Sequence, residues 1–193
     1  SVGAHILHSI AEVKADPVLR LTMLLHDIGK PQTMTVDEDG TTHFHGHPAL
    51  SAEMARNILR RLKMDNDTID KVSTLVRYHD YRHGEEPTEM VIRKALNKVG
   101  ADIFPMFLEV RRADVMAQSG YMREEKLENI REWERIYRIV LEKEQCFSVK
   151  QLKISGKDLI ESGMKPGPVM GEILSALLDE VIEDPDKNNK ELI

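Results

Sequence analysis

Apolar side chains recur at helical spacing almost from the first residue of this chain. Ile6, Ile10 and Val13 stand at i, i+4 and i+7, which predicts a helix with one buried face. Pro17 separates it from a second helix, whose apolar face is Leu21, Leu24, Leu25 and Ile28 and which Gly29 and Pro31 end. Residues 33–44 alternate around Asp37-Glu38-Asp39-Gly40 and read as a short β-hairpin. Pro48 suits the first turn of a helix that turns Met54, Ala55, Ile58, Leu59 and Leu62 inward. Asp65 or Asn66 can cap a helix carrying Ile69, Val72 and Val76, and residues 81–88 form a polar loop. A helix with Ile92, Ala95, Leu96 and Val99 stops at Gly100, another runs from about Ile103 to Ala117, and a longer one carries Trp133, Ile136, Tyr137, Val140 and Leu141. Ser155-Gly156-Lys157-Asp158 has capping-box spacing with Asp in the last place, and Pro166-Gly167-Pro168 breaks the chain. The last helix is predicted to bury Met170, Ile173, Leu174, Leu177, Leu178 and Val181.

The informative positions are those where a polar residue interrupts an apolar stripe. His26-Asp27 closes the second helix, and burying an unpaired imidazole and carboxylate is expensive. His79 falls seven residues after Val72 and three after Val76. Asp114 falls seven after Phe107 and four after Val110. His47 sits where the hairpin meets a helix N-terminus, and His5 lies one residue before the first stripe. Imidazole nitrogens and carboxylate oxygens brought together from separate helices are the donors of a metal site. Such a mixed set suits Mn, Fe, Co, Ni or Zn better than Mg, although Mg is possible.

Composition agrees with a helical protein. Charged residues make up 31% and aromatics 5%, with 10 Met. A net charge of -6 argues against broad, charge-driven nucleic-acid binding but leaves room for a local basic patch. Residues 151–193 carry 5 basic and 9 acidic side chains, so the C-terminal part is the more acidic. The single Cys146 cannot form an internal disulfide, and a reduced, cytoplasmic setting is the default. No apolar run approaches the roughly 20 residues of a membrane helix. The chain opens Ser1-Val2-Gly3-Ala4-His5 with no initiator Met, which reads as a fragment or processed chain.

The order His5, His26-Asp27, Asp114 resembles the HD superfamily of metal-dependent phosphohydrolases. The added His47 and His79 resemble its variant with six ligands and room for two metals. Three segments are more specific: His26-Asp27-Ile28-Gly29-Lys30-Pro31, His43-Phe44-His45-Gly46-His47, and Arg112-Ala113-Asp114-Val115-Met116-Ala117-Gln118. They are similar to the HD domain of bacterial tRNA nucleotidyltransferases and poly(A) polymerase-like proteins. So are Ser155 to Ile160 and Met164 to Leu174. The Gly-rich turn and paired catalytic aspartates of that family's nucleotidyltransferase head are not found here, so the chain is not expected to add nucleotides by itself.

The resemblance implies an all-α fold: an HD-type helical bundle over 1–148, with a short hairpin, and a C-terminal helical region over 149–193. It implies one or two divalent ions, the first held by His5, His26, Asp27 and Asp114. The second is held by His47 and His79 with Asp27 as bridge. Asp27 and Lys30 become the catalytic candidates, and Lys30, Arg111 and Arg112 candidates for contacting substrate phosphate. The expected activity is a metal-dependent phosphohydrolase, phosphomonoesterase or 2′,3′-cyclic phosphodiesterase, acting on nucleotides or RNA 3′ ends, with tRNA as a possible partner and no membrane. The alternatives are a non-catalytic helical scaffold for tRNA or a polymerase head, and a general nucleotide phosphohydrolase. Asp80 lies off the apolar stripe, and His8, His43, His45 and His83 read as surface or pocket-rim residues. The cluster Arg56, Arg60, Arg61 and Lys63 reads as a solvated helix face that can also guide an RNA end.

Overall fold

The structure, a computed structural model, describes residues 1–190. In chain order its elements are α1 (Val2–Glu12), α2 (Pro17–Leu25), α3 (Lys30–Thr33), β1 (Thr35–Val36), β2 (Thr42–His43), α4 (His47–Arg61), α5 (Asn66–Tyr78), α6 (Glu89–Val99), α7 (Phe104–Ala117), α8 (Arg123–Glu142), α9 (Gly156–Glu161) and α10 (Pro168–Glu183), with two short 3-10 turns near the end. The fold is all-α apart from one antiparallel two-stranded ladder, in which Thr35 pairs with His43 and Val36 with Thr42. No helix among the described residues is long and apolar enough to cross a membrane.

The chain divides into two compact units, residues 1–86 with 99–132, and residues 87–98 with 133–193. The boundary expected at 148/149 therefore falls inside the second unit, which takes its helices from two separate stretches of chain.

In the first unit α2 is the organising element. Asp16 caps it by accepting from the Leu19 amide at 3.0 Å, and Pro17 occupies its first turn. On one side Leu25 joins Ala52, Ala55, Leu59, Ile69, Val72 and Val76 of α4 and α5. On another side Leu19 and Met23 join Val13, Val110 and Ala113, the last two from α7. A single apolar stripe at Leu21, Leu24, Leu25 and Ile28 was the expectation. In the structure Leu24 is exposed, while Thr22 and Met23 are fully buried. A helix packed on two sides buries more than one stripe, so the single-face pattern misplaces its core. The helix also stops earlier than Gly29: α2 ends at Leu25, and Pro31 opens α3 instead of closing α2.

The second unit is held by Cys146, Leu178, Val181 and Ile182, with Leu152 against them. Buried Arg93 donates to the Ile182 carbonyl at 2.7 Å and to Gln145 Oε1 at 2.8 Å. The predicted capping box is formed, with Ser155 and Asp158 each bonding the other's backbone amide. Of the residues expected to be buried in α10, Leu178 and Val181 are. Met170, Ile173, Leu174 and Leu177 are only partly covered, and Ile182 takes the remaining core place.

Close approach makes Gly29 a sensitive position. Its amide donates to Ser51 Oγ at 3.0 Å, and a Cβ would stand 2.9 Å from that oxygen and 3.0 Å from the backbone of His47 and Ser51. Gly29→Ala is therefore expected to cost about 1–3 kcal/mol in urea denaturation by forcing this turn off α4. An unchanged midpoint would show that α4 yields without strain.

Candidate metal centre

Six side chains from five segments of the first unit converge on one point. His5 comes from the first turn of α1, His26 from the residue that ends α2, and Asp27 from the turn that follows. His47 opens α4 behind Gly46, whose φ of 80° is a left-handed conformation that favours glycine. His79 ends α5, and Asp114 lies in α7. Two of these helices thus present C-terminal ends, where the backbone dipole favours a cation.

Asp27 is fully buried and divides the six into two triads. Its Oδ2 lies 3.4 Å from His26 Nε2 and 3.6 Å from His5 Nε2. Asp114 Oδ1 completes that group, 2.8 Å from His5 Nε2 and 3.4 Å from His26 Nε2. Its Oδ1 lies 3.4 Å from His47 Nε2 and 3.8 Å from His79 Nε2. One carboxylate thus offers an oxygen to each triad, the arrangement of a ligand that bridges two ions.

The imidazoles are aimed by their other nitrogens. His26, His47 and His79 Nδ1 each lie 2.8 Å from a backbone carbonyl, of Met23, Phe44 and Val76 respectively. His5 Nδ1 lies 3.4 Å from the Ala117 carbonyl. A carbonyl only accepts, so each Nδ1 carries the proton, and in the neutral ring the Nε2 lone pair faces the centre. Such outer hydrogen bonds fix tautomer and orientation in metal-ligating histidines. Nε2 of His5 and His26 lie 3.2 Å apart, and Nε2 of His47 and His79 3.4 Å apart. Facing lone pairs at those distances repel unless a proton or a metal ion stands between them. Asp27 Oδ1 is also a buried oxygen with no hydrogen-bond partner, which calls for a cation.

The charges respond accordingly. Burial alone would raise Asp27, but His47, His26 and Lys30 hold its carboxyl far below the usual range. Burial is likewise overcome at Asp114, by His26 and His5. The hydrogen bond to Asp114 raises His5. At His47 burial is outweighed by Asp27 and the Phe44 carbonyl, and its pKa also rises. His79 is lowered by burial and by His26, and stays neutral.

Lys30 belongs to α3 rather than α2, yet its Nζ still reaches Asp27 Oδ2 at 2.6 Å, 5.7 Å from the Phe44 ring centre. Arg111 is 2% exposed, and burial lowers its guanidinium to about 10 against the pull of Asp80 and Asp114. It therefore lies inside the unit and not on an accessible phosphate-contacting face. Arg112 donates to the Glu12 carbonyl and pairs with the Glu12 carboxylate at 4.0 Å. Gln118 and Lys126 went unnoticed in the sequence. Gln118 Nε2 donates to Asp114 Oδ2 at 2.9 Å, and Lys126 Nζ donates to Gln118 Oε1 at 2.8 Å. The spacing of Asp114 and Gln118, one helical turn apart, was the available signal.

Opposed proton linkages at this cluster make a pH-dependent prediction. The raised pKa values of His5 and His47 stabilise the metal-free fold below about pH 6.5, and this is lost as pH rises through their folded values. The lowered Asp27 and Asp114 contribute above about pH 4, and that part is lost only as pH falls through their folded values. Neutral His79 has the opposite sign to the other histidines and offsets part of the loss. A metal must displace the imidazole protons, so its affinity rises with pH. The gain in Tm from added Mn, Co or Zn over EDTA is expected to grow from pH 6 to pH 8. A gain independent of pH would sink the imidazole assignment.

A family profile described as "tRNA nucleotidyltransferase domain 2 putative" matches residues 35–193. The A-adding tRNA nucleotidyltransferase of Deinococcus radiodurans is 30% identical over 92% of this chain and 41% of its own length. The CC-adding tRNA nucleotidyltransferase of Thermus thermophilus is 33% identical over 85% of this chain and 36% of its own. A multifunctional CCA protein of Thioalkalivibrio sulfidiphilus is 28% identical over 90% and 41% respectively. The chain thus spans about two fifths of the length of these relatives. No solved structure matches it. These findings correct the enzyme expected from the sequence: the relatives are named as transferases that add A, CC or CCA, so the HD-type phosphohydrolase reading is set aside. With a profile covering most of its length, the chain belongs to this family of tRNA nucleotidyltransferase second domains.

Proposed function

We propose that this chain is the tRNA-holding helical part of a nucleotidyltransferase-type protein, built around an HD-type pair of divalent ions that anchors its first unit. The observation that carries this reading is the family match across residues 35–193, together with relatives named for adding nucleotides to tRNA. The non-catalytic scaffold weighed from the sequence fits it: nucleotide addition belongs to the whole protein, and this part orients the RNA.

His5, His26 and Asp114 would hold one ion, His47 and His79 the other, with Asp27 shared. The donor set favours Mn, Fe, Co, Ni or Zn. Bound divalent ions would offset the two buried carboxylates, which matters in a chain of net charge -6 that must approach a polyanion. Basic residues along α4, Arg56, Arg60 and Arg61, supply further positive charge.

Fluorescence anisotropy with labelled tRNA tests this reading. Saturable binding that weakens with salt is expected, together with a severalfold loss of affinity on EDTA treatment that added Mn or Co reverses. Asp27→Asn, which removes the shared charge, is expected to lower metal content from about two ions per chain and to abolish that reversal. Binding to tRNA no tighter than to an unstructured RNA of equal length would overturn the proposal.

A further inference from the structure

An open cleft of about 640 Å³ runs between α4 and α5 in the first unit, away from the six metal-centre side chains. It exists because the facing side chains are small: Ala49 and Ala52 on α4, Ser73 and Thr74 on α5. Ser73 is 5% exposed, and its hydroxyl has no hydrogen-bond partner although it forms part of this lining. A buried hydroxyl left without a partner is costly, so this one is a donor in want of an acceptor.

The other groups around the cleft favour an anion as that acceptor. Gly46 and Ala49 bring the N-terminus of the 15-residue α4 to one end, and no side chain caps it. Arg56 and Arg77 add two guanidiniums. Arg56 is partly engaged, with Nη1 2.8 Å from Asp70 Oδ1. Arg77 is exposed, 6.0 Å from the Tyr78 ring centre. Glu53 also lines the cleft and is the one carboxylate an anion would meet there. Two guanidiniums, a helix N-terminus and a waiting hydroxyl against one exposed carboxylate are the donors of a phosphate site. The volume exceeds what a lone phosphate needs and leaves space for an attached sugar. Gly46 directly precedes metal-centre His47, and Arg77 stands two residues before His79.

We propose that this cleft binds a backbone phosphate of RNA, with Arg77 and Ser73 as its main donors; the inference rests on the tRNA-holding reading above. Affinity for tRNA is measured across a salt series for the wild type, Arg77→Gln, Ser73→Ala and, as a charge control, Arg20→Gln on α2. Arg77→Gln is expected to bind about tenfold more weakly at low salt, with the log–log salt slope shallower by about one. Ser73→Ala should weaken binding about threefold with the slope unchanged, since it removes a hydrogen bond and no charge. Arg20→Gln should match the wild type. Equal affinity and slope in Arg77→Gln and wild type would overturn the inference while leaving tRNA binding intact. A wild type that fails to bind tRNA sinks the broader reading instead. The cleft is then judged by backbone amide NMR with AMP: saturable shifts at Gly46, Ala49, Ser73 and Thr74 that vanish in Arg77→Gln uphold a phosphate site, and their absence overturns it.

Discussion

The buried carboxylate of Asp27 is the constraint on which the first unit depends. A full negative charge with no exposure to water must be met on every side, and Asp27 is met by four imidazoles and a lysine. Those groups come from α1, α2, α3, α4 and α5, so satisfying one carboxylate ties five helices to a common point. The packing serves the same end. Met23 and Leu25 lock α2 between two apolar clusters, and the His26-Asp27 pair that follows α2 is thereby fixed in depth and direction. Gly29 allows the next turn to lie against Ser51 at the start of α4, which brings His47 into reach.

Backbone carbonyls do much of the orienting. Met23, Phe44 and Val76 each hold one Nδ1 at 2.8 Å, and three Nε2 atoms are turned inward by the same device at three helix ends. The resulting cluster of lone pairs and carboxylates is unfavourable in isolation and favourable around cations. That physical argument identifies a metal centre without identifying a reaction. The hydrolase expectation came from ligand order, which this chain has. The relatives that match it are named as transferases, and the same constellation can serve as a charged anchor in an RNA-handling protein.

The two units differ in how they resist their own polar groups. In the first, charge is concentrated at a centre that ions can complete. In the second, Arg93 is satisfied within the fold by the Ile182 carbonyl and Gln145, and burial around Cys146, Leu178, Val181 and Ile182 holds it. Arg111 shows how far a local reading can mislead. Beside Asp114's stripe it looks like a phosphate contact, yet tertiary packing covers it almost completely.

Local rules carried much of the architecture. Helical spacing, Pro48, the Asp65 cap, the Ser155–Asp158 box and the Gly100 stop all act within a turn or two of chain, so they can be read without knowing the neighbours. The candidate ligands were legible for the same reason, since a histidine or aspartate on an apolar stripe is anomalous wherever that stripe packs. Tertiary structure alone decided the rest. Whether α2 buries one face or two depends on both neighbours, and so the exposure of Leu24 and the burial of Met23 were hidden. The partition of Asp27's two oxygens between two triads, the Gln118–Lys126 support behind Asp114 and the cleft over Ser73 join residues tens of positions apart. Periodicity records which way a side chain faces on its own helix, and only folding determines what it meets there.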